Sequence, residues 1–155
     1  LVTRPFKDDD YIAAAGYEGT VQEIRLCNTV LLTFDNRIVY IPNGTLSTST
    51  IINYTEKDVR RVDLTFTVTA DNDLEKVKTI IKNACVCHPL ALADPEITVR
   101  LAARYSDSME LVAKIWVRTD DYWTVYYDAI ESVKKALDEN NIAAPSNQMD
   151  VHVRN

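Results

Sequence analysis

The chain has 155 residues, 46% of them hydrophobic and 26% charged, a balance that suits a folded protein with a buried core and excludes wholesale disorder. Its 17 Lys and Arg stand against 23 Asp and Glu, a formal net charge of −6 that offers no basic footprint for wrapping DNA or RNA. Residues 1–58 hold 5 basic and 8 acidic side chains and residues 59–155 hold 12 and 15, so each part nets −3 and neither is a charged tail.

In chain order, the opening Leu1-Val2-Thr3-Arg4-Pro5 lacks the apolar core of a signal peptide, and nothing approaches the roughly 18 apolar residues of a membrane-spanning helix. As written the chain reads as soluble, and because it begins without Met inside apparent structure it is expected to belong to a longer protein. The part up to about Asp58 reads as short β runs broken by turn chemistry. Tyr11–Ala15 ends at Gly16, Thr20–Leu26 follows Gly19, and Thr29–Phe34 and Arg37–Ile41 flank Asp35-Asn36, a pair suited to the positive φ of a tight hairpin. Val30, Leu32 and Phe34 alternate, whereas Val21, Ile24 and Leu26 lose phase at Glu23, which predicts a bulge. Pro42-Asn43-Gly44 stops the fourth run and Thr50–Tyr54 supplies a fifth, so a five-stranded barrel is the economical closure. The charged stretch Glu56-Lys57-Asp58 marks the boundary.

The second part alternates strand and helix. In Arg61–Ala70, Val62, Leu64, Phe66, Val68 and Ala70 share one face, and Arg61, Asp63, Thr65, Thr67 and Thr69 share the other. Asp71 or Asn72 is placed to cap a helix carrying Leu74, Val77, Ile81 and Ala84, which His88-Pro89 ends. Ile97–Leu101 and Met109–Val117 alternate on either side of the hairpin loop Tyr105–Ser108. A second helix, capped near Thr119 or Asp120, carries Tyr126, Ala129, Ile130, Val133 and Leu137. The order β-α-β-β-α, with a last strand at Met149–Val153, is the split βαβ or ferredoxin-like arrangement.

Candidate chemistry is sparse. Cys85-Val86-Cys87-His88 offers metal-ligand types, but residues i and i+2 on a helix point about 200° apart, so helix-end packing is the better reading. The odd count of three cysteines, with Cys27, points to a reducing compartment. No nucleophile with a neighbouring base can be assembled, which argues against an enzyme. An anion-binding first loop is disfavoured by Asp71 and Asp73, and an RNA-stacking sheet by the threonine-rich outer face, Trp116 excepted. Asp8-Asp9-Asp10 reads as a solvated turn, lacking the donor spacing and glycine of a calcium loop. The aromatic group Tyr122, Trp123, Tyr126 and Tyr127 suits a subunit interface as well as a core.

Arg4-Pro5-Phe6, Glu18-Gly19-Thr20-Val21-Gln22-Glu23-Ile24, Ile41-Pro42-Asn43-Gly44-Thr45-Leu46, Ile51-Ile52-Asn53-Tyr54, Arg60-Arg61 and Gln148-Met149-Asp150-Val151 run in order along the whole chain. Together they make it resemble the soluble region of the small-conductance mechanosensitive channels, the MscS family. The resemblance implies an Sm-like β domain (residues 1–58), a ferredoxin-like α/β domain (59–146) and a C-terminal strand (147–155) of a seven-stranded barrel in a homo-heptamer. The heptamer would form a hollow vestibule on the cytoplasmic side of the inner membrane, attached through transmembrane helices that this chain does not contain. Membrane tension after hypoosmotic shock would open the pore, and ions and small solutes would leave through it, with no enzyme activity, cofactor, metal or nucleic acid involved. Position by position, Arg4, Pro5, Phe6, Pro42, Asn43 and Gly44 would be membrane-proximal, and Arg60, Arg61 and Asp63 would line the portals. Gln148, Met149, Asp150, Val151, His152 and Val153 would form the barrel strand, entered from Asn147 where many members carry proline. The alternative is a stand-alone oligomeric module on the same two folds that binds RNA or a small ligand.

Overall fold

The computed structural model describes residues 4–146, and the barrel-strand residues Gln148 to Val153 lie outside them. The chain divides into two compact units, Leu1–Asp58 and Val59–Asn155.

In the first unit, β1 (Tyr11–Ala14), β2 (Tyr17–Ile24), β3 (Asn28–Leu32), β4 (Ile38–Pro42) and β5 (Ile51–Asn53) form one antiparallel sheet in the order β4-β3-β2-β1-β5. Ala15 and Gly16 both take positive φ (52° and 82°), the pair of left-handed conformations that a two-residue turn between β1 and β2 requires. Gly19 answers a different need, because a Cβ there would lie 2.6 Å from the Leu32 carbonyl oxygen on the neighbouring strand. The expected bulge is present: Val21 pairs with Leu31 but Glu23 pairs with Val30, leaving Gln22 as the extra residue.

Three expectations need correction here. The β3–β4 loop spans residues 33–37 rather than two residues, and only Asn36 (φ 65°) turns left-handed, so Phe34 is no strand residue and stands 76% exposed. The buried residues of β3 are Thr29, Val30 and Leu31 rather than the Val30-Leu32-Phe34 alternation: consecutive residues face opposite ways, so both faces are buried there and the period of two is lost. Pro42-Asn43-Gly44 does not merely stop a strand: it opens a short helix, α1 (Asn43–Thr48), pinned by buried Leu46. Its Ser and Thr residues have modest helix propensity and bond back to the backbone, Ser47 Oγ and Thr48 Oγ1 both donating to Gly44 O, so the sequence carried no helical periodicity.

In the second unit, β6 (Val59–Thr69), β7 (Thr98–Arg104) and β8 (Ser108–Arg118) form a sheet in the order β6-β8-β7. The period of two in β6 holds, and β6 and β8 pair without a slip from Val59–Arg118 to Thr69–Ser108. Both outer strands run antiparallel to β8 and hence parallel to each other, joined by α2 (Leu74–Val86) as the crossover. Val77, Ile81 and Cys85 of α2 and Val125, Ala129, Val133 and Leu137 of α3 (Tyr122–Glu139) pack into one core with Val62, Leu64, Leu111 and Ile115. The cap of α2 is Asp73, whose Oδ1 accepts from the Glu75 amide at 3.0 Å; Asn72 instead donates to Thr69 Oγ1 and O. A 3₁₀ turn (Thr119–Asp121) precedes α3. The buried row of α3 runs Val125, Ala129, Val133, Leu137 at i, i+4 spacing, so Val125 rather than Tyr126 starts it, and Ile130, one residue off the row, is 37% exposed.

Candidate functional site

The membrane-proximal candidates meet in the first unit. Arg4, Pro5, Phe6 and Asn43 line a cavity of about 1000 Å³ with Ile24, Leu26 and Leu46, while Pro42 ends β4 and Gly44 follows Asn43 in α1. Asn43 holds the β2–β3 loop with every polar group it can turn that way. Its Nδ2 donates to Arg25 O (2.8 Å) and Leu26 O (3.1 Å), its backbone N–H donates to Cys27 O (2.9 Å), and its Oδ1 accepts from the buried Thr29 hydroxyl (2.9 Å). The loop so fixed presents Leu26, 96% exposed, beside the cavity. Gly44 differs from Gly19: a Cβ would meet nothing within 4 Å, so nothing among the described residues requires its bareness.

Sequence reasoning missed Asp10. The triple acidic run is no solvated turn at its third member, which is 6% exposed and anchors the N-terminal segment to the end of β5. Its carboxylate accepts from the Lys7 amide (3.0 Å), Asn53 Nδ2 (2.9 Å) and the Thr55 hydroxyl (3.1 Å), and Asn53 Nδ2 also donates to Pro5 O (3.1 Å). Burial alone would raise the Asp10 pKa. The hydrogen bonds from Asn53, Lys7 and Thr55 and the Lys7 charge overcome it and hold the carboxyl below its ordinary value of 3.8. The conjunction of Pro5-Phe6 with Ile51-Ile52-Asn53 in one sequence was the available signal, since Asn53 binds both ends.

The portal candidates lie at the start of β6. Arg61 Nε and one terminal nitrogen chelate the two oxygens of Asp63 at 2.7 and 3.0 Å, a bidentate pair formed along one strand face. The guanidinium also sits 6.0 Å from the centre of the Trp116 ring, its cross-strand partner, so Trp116 is half-buried rather than an open stacking platform. Asp63 stands opposite Lys114 on β8. Arg60, on the other face, lies 3.8 Å over the ring of Tyr122, tying β6 to the start of α3.

At the end of α2, Cys85 is fully buried and Cys87 exposed, so the two sulfurs do not converge. Burial pushes the Cys85 thiol up to about 11. His88 is engaged on both ring nitrogens: the Leu90 amide donates to Nδ1 at 3.1 Å, which leaves Nε2 to donate to Asp128 Oδ2 at 2.8 Å. Among the described residues no group of three or more His, Cys, Asp or Glu could hold a metal, and no helix is long and apolar enough to cross a membrane.

Comparison with known proteins is consistent along the chain. Residues 1–56 match the family model "Mechanosensitive ion channel, beta-domain" and residues 62–144 match "Mechanosensitive ion channel MscS, C-terminal". The small-conductance mechanosensitive channel of Edwardsiella ictaluri is 36% identical over 153 residues, covering 99% of this chain and 54% of that protein. The crystal structure of Helicobacter pylori MscS in its closed state superposes with a TM-score of 0.88 at 30% identity, covering 97% of this chain and 60% of that one. The cryo-EM structure of Arabidopsis thaliana MSL1, 20% identical with a TM-score of 0.75, shares the fold over 93% of this chain and 54% of that one. The chain thus spans about half the length of the curated relatives it matches.

Proposed function

The chain belongs to the MscS family of mechanosensitive ion channels, and from that premise we propose that it forms the cytosolic vestibule of a homo-heptameric, tension-gated channel that releases ions and small solutes on hypoosmotic shock. The observation that carries this reading is the match of both family models in order, one on each compact unit, together with the superposition over 97% of the chain.

Finer assignments follow from the same reading. The bulged antiparallel strand order of the first unit supports closure into an Sm-like barrel, and the β-α-β-β-α order with β8 central supports a ferredoxin-like second unit. On this reading the domains are 1–58 and 59–146, and residues 147–155 would supply the strand of the oligomeric barrel. The rigid Asn43 clamp and the cavity beside it suit a surface that meets pore-lining helices supplied by the rest of the protein. Gly44, with open space where a Cβ would stand among the described residues, suits a close approach from a pore-lining helix. Arg60, Arg61 and Asp63 would border the side portals. Seven copies at −6 each give the cage a formal charge of about −42, felt within a Debye length of about 8 Å.

The rival reading as an RNA- or ligand-binding module is weakened by Arg61 lying beside Trp116, the one aromatic on the outer sheet face of the second unit. The test is expression of the full-length protein in a bacterium stripped of its own osmotic-release channels. Survival of a rapid downshock and a stretch-activated conductance in membrane patches are expected. A full-length protein that reaches the membrane but gives neither would overturn the reading.

A further inference from the structure

Helix α3 buries one stripe and leaves a second, apolar one exposed among the described residues. Trp123, Tyr127 and Ile130 are 47%, 59% and 37% exposed and recur at i, i+4 and i+7, so they line one flank of the helix, with Trp123 and Tyr127 stacked at 5.9 Å. Asp120, Asp121 and Glu131 stand around the stripe and Asp128 is engaged by His88, while Lys134, one turn past Ile130, pairs with Asp138, so the stripe is acidic over its N-terminal part.

The opposite composition occurs across the sheet. Strand β7 ends the order β6-β8-β7, and its segment 97–106 contains Arg100 and Arg104 between the flanking Glu96 and Asp107; Arg100 pairs with Val112 on the outer face and Arg104, past the bulge, with Met109 on the core face, so the two arginines grip the edge from both sides. Between and beside these arginines, Leu101 is 41% and Tyr105 53% exposed, at a bulge that breaks the ladder to β8 between Leu101 and Ala103. An edge strand without a further partner among the described residues, carrying apolar and basic side chains, is a surface that a folded protein normally shields. Helix α3 packs over β6 and β8, and α2 packs over β7 and β8. The acidic aromatic flank and the basic edge therefore belong to different sides of the unit, and one copy cannot bring them together.

We propose that the Trp123–Tyr127–Ile130 stripe of α3 docks on the Arg100–Tyr105 edge of β7 in a neighbouring copy of this chain. The two patches differ, so the contact is heterologous: each copy offers one of each, and repetition generates a ring when the rotation closes rather than a self-limiting dimer. Apolar area supplies attachment, and the acidic frame against two arginines fixes which surface meets which. The inference rests on the ring reading above and names a contact that holds the ring outside its pore and barrel.

The experiment measures absolute mass by light scattering on the 155-residue chain over a wide concentration range, at low and high salt. Arg100→Glu with Arg104→Glu, and separately Asp120→Lys with Glu131→Lys, are each expected to raise the midpoint concentration for assembly about tenfold, with thermal midpoints showing that the variants fold. The chain carrying all four changes restores complementarity with reversed sign and is expected to assemble close to the wild-type midpoint. Tyr127→Ala is expected to weaken assembly without making it more salt-sensitive. If the wild type assembles but neither reversal moves its midpoint, the contact is wrong while the ring stands, and the stripe serves a partner other than a second copy. If the fourfold variant is merely as weak as its two parents combined, charge pairing between these patches is refuted. A wild type that stays monomeric at every concentration overturns the ring formed by this chain and the contact with it.

Discussion

Replacing Asp10 should unfasten the first unit in a manner that depends on pH. Asp10→Ala removes the acceptor for the Lys7 amide, Asn53 Nδ2 and the Thr55 hydroxyl. Hydrogen bonds to a charged group are worth about 1.5–3 kcal/mol each in stability. Two of these donors retain partners, however: Asn53 Nδ2 also reaches Pro5 O, and the Thr55 hydroxyl also reaches Asn53 Oδ1. Among the described residues the Lys7 amide alone of the three has no second acceptor, so the net loss should be nearer one full bond plus two weakened ones, about 2–4 kcal/mol. Native-state hydrogen exchange reads this directly. The amides of Val21, bonded to Asp10 O, and Tyr54, bonded to Tyr11 O, should exchange roughly 30- to 1000-fold faster at neutral pH, since about 1.4 kcal/mol is a factor of ten. The sign with pH follows from the depressed pKa. The folded state favours the carboxylate, so the stabilisation is complete above the unfolded value and is lost as pH falls through the folded one, which lies below 3.8. The gap between wild type and variant should therefore hold from neutral pH down to about pH 4 and close below it. Equal exchange in Asp10→Asn and wild type at pH 7, or a gap that does not shrink in acid, would refute an ionised anchor.

Gly19→Ala places a methyl 2.6 Å from the Leu32 carbonyl and should destabilise the first unit by about 1–3 kcal/mol, measured by urea unfolding. Gly44→Ala meets nothing and should be neutral to stabilising by up to about 1 kcal/mol in this chain, yet should alter gating in patches of the full-length channel. Asp63→Lys should shift the reversal potential of the full-length channel in a salt gradient while leaving the tension threshold within error. With an alkylating reagent at pH 8, Cys27 and Cys87 should react in the native chain, whereas Cys85, buried and with its thiol raised to about 11, should react only on unfolding. Mass spectrometry of the labelled peptides distinguishes the three.

The elements that the sequence revealed are those in which one face meets water. Strand β6 alternates because helices cover one side of it and solvent the other, and all eleven of its residues pair with β8 in register, so a period of two survived intact. The Glu23 bulge was visible for the same reason, as a slip in an otherwise regular run. Strand β3 hid its register because Thr29, Val30 and Leu31 are buried in succession, and α1 hid because six residues rich in Ser and Thr cannot complete two turns of helical pattern. In the candidate site, Pro42-Asn43-Gly44 was legible as a motif but not as a clamp, since its partners are carbonyls of Arg25, Leu26 and Cys27, whose identity any sequence could change. Asp10 was misread because a run of three aspartates looks solvated, and only the fold sets the third against Asn53 and Thr55.

The pairing of Arg61 with Asp63 bears on how charge could filter solutes at a portal. A formal count over the chain treats each side chain as an independent source, but a bidentate pair at 2.7 and 3.0 Å presents a dipole, and its field falls off faster than that of either ion. Asp63→Lys therefore does more than change the subunit by two charges. It releases Arg61 beside Trp116 and sets a new ammonium opposite Lys114, so a cluster of three cations replaces a neutral pair and one lysine. Arg61→Gln combined with Asp63→Asn keeps the net charge of the chain and removes only the pair. If ion preference follows the charge count, the double variant should match the wild type while Asp63→Lys departs from it. If the pair chiefly holds the strand face in shape, the double variant should depart as well, and its deviation should persist at high salt, where screening suppresses the electrostatic part of any difference.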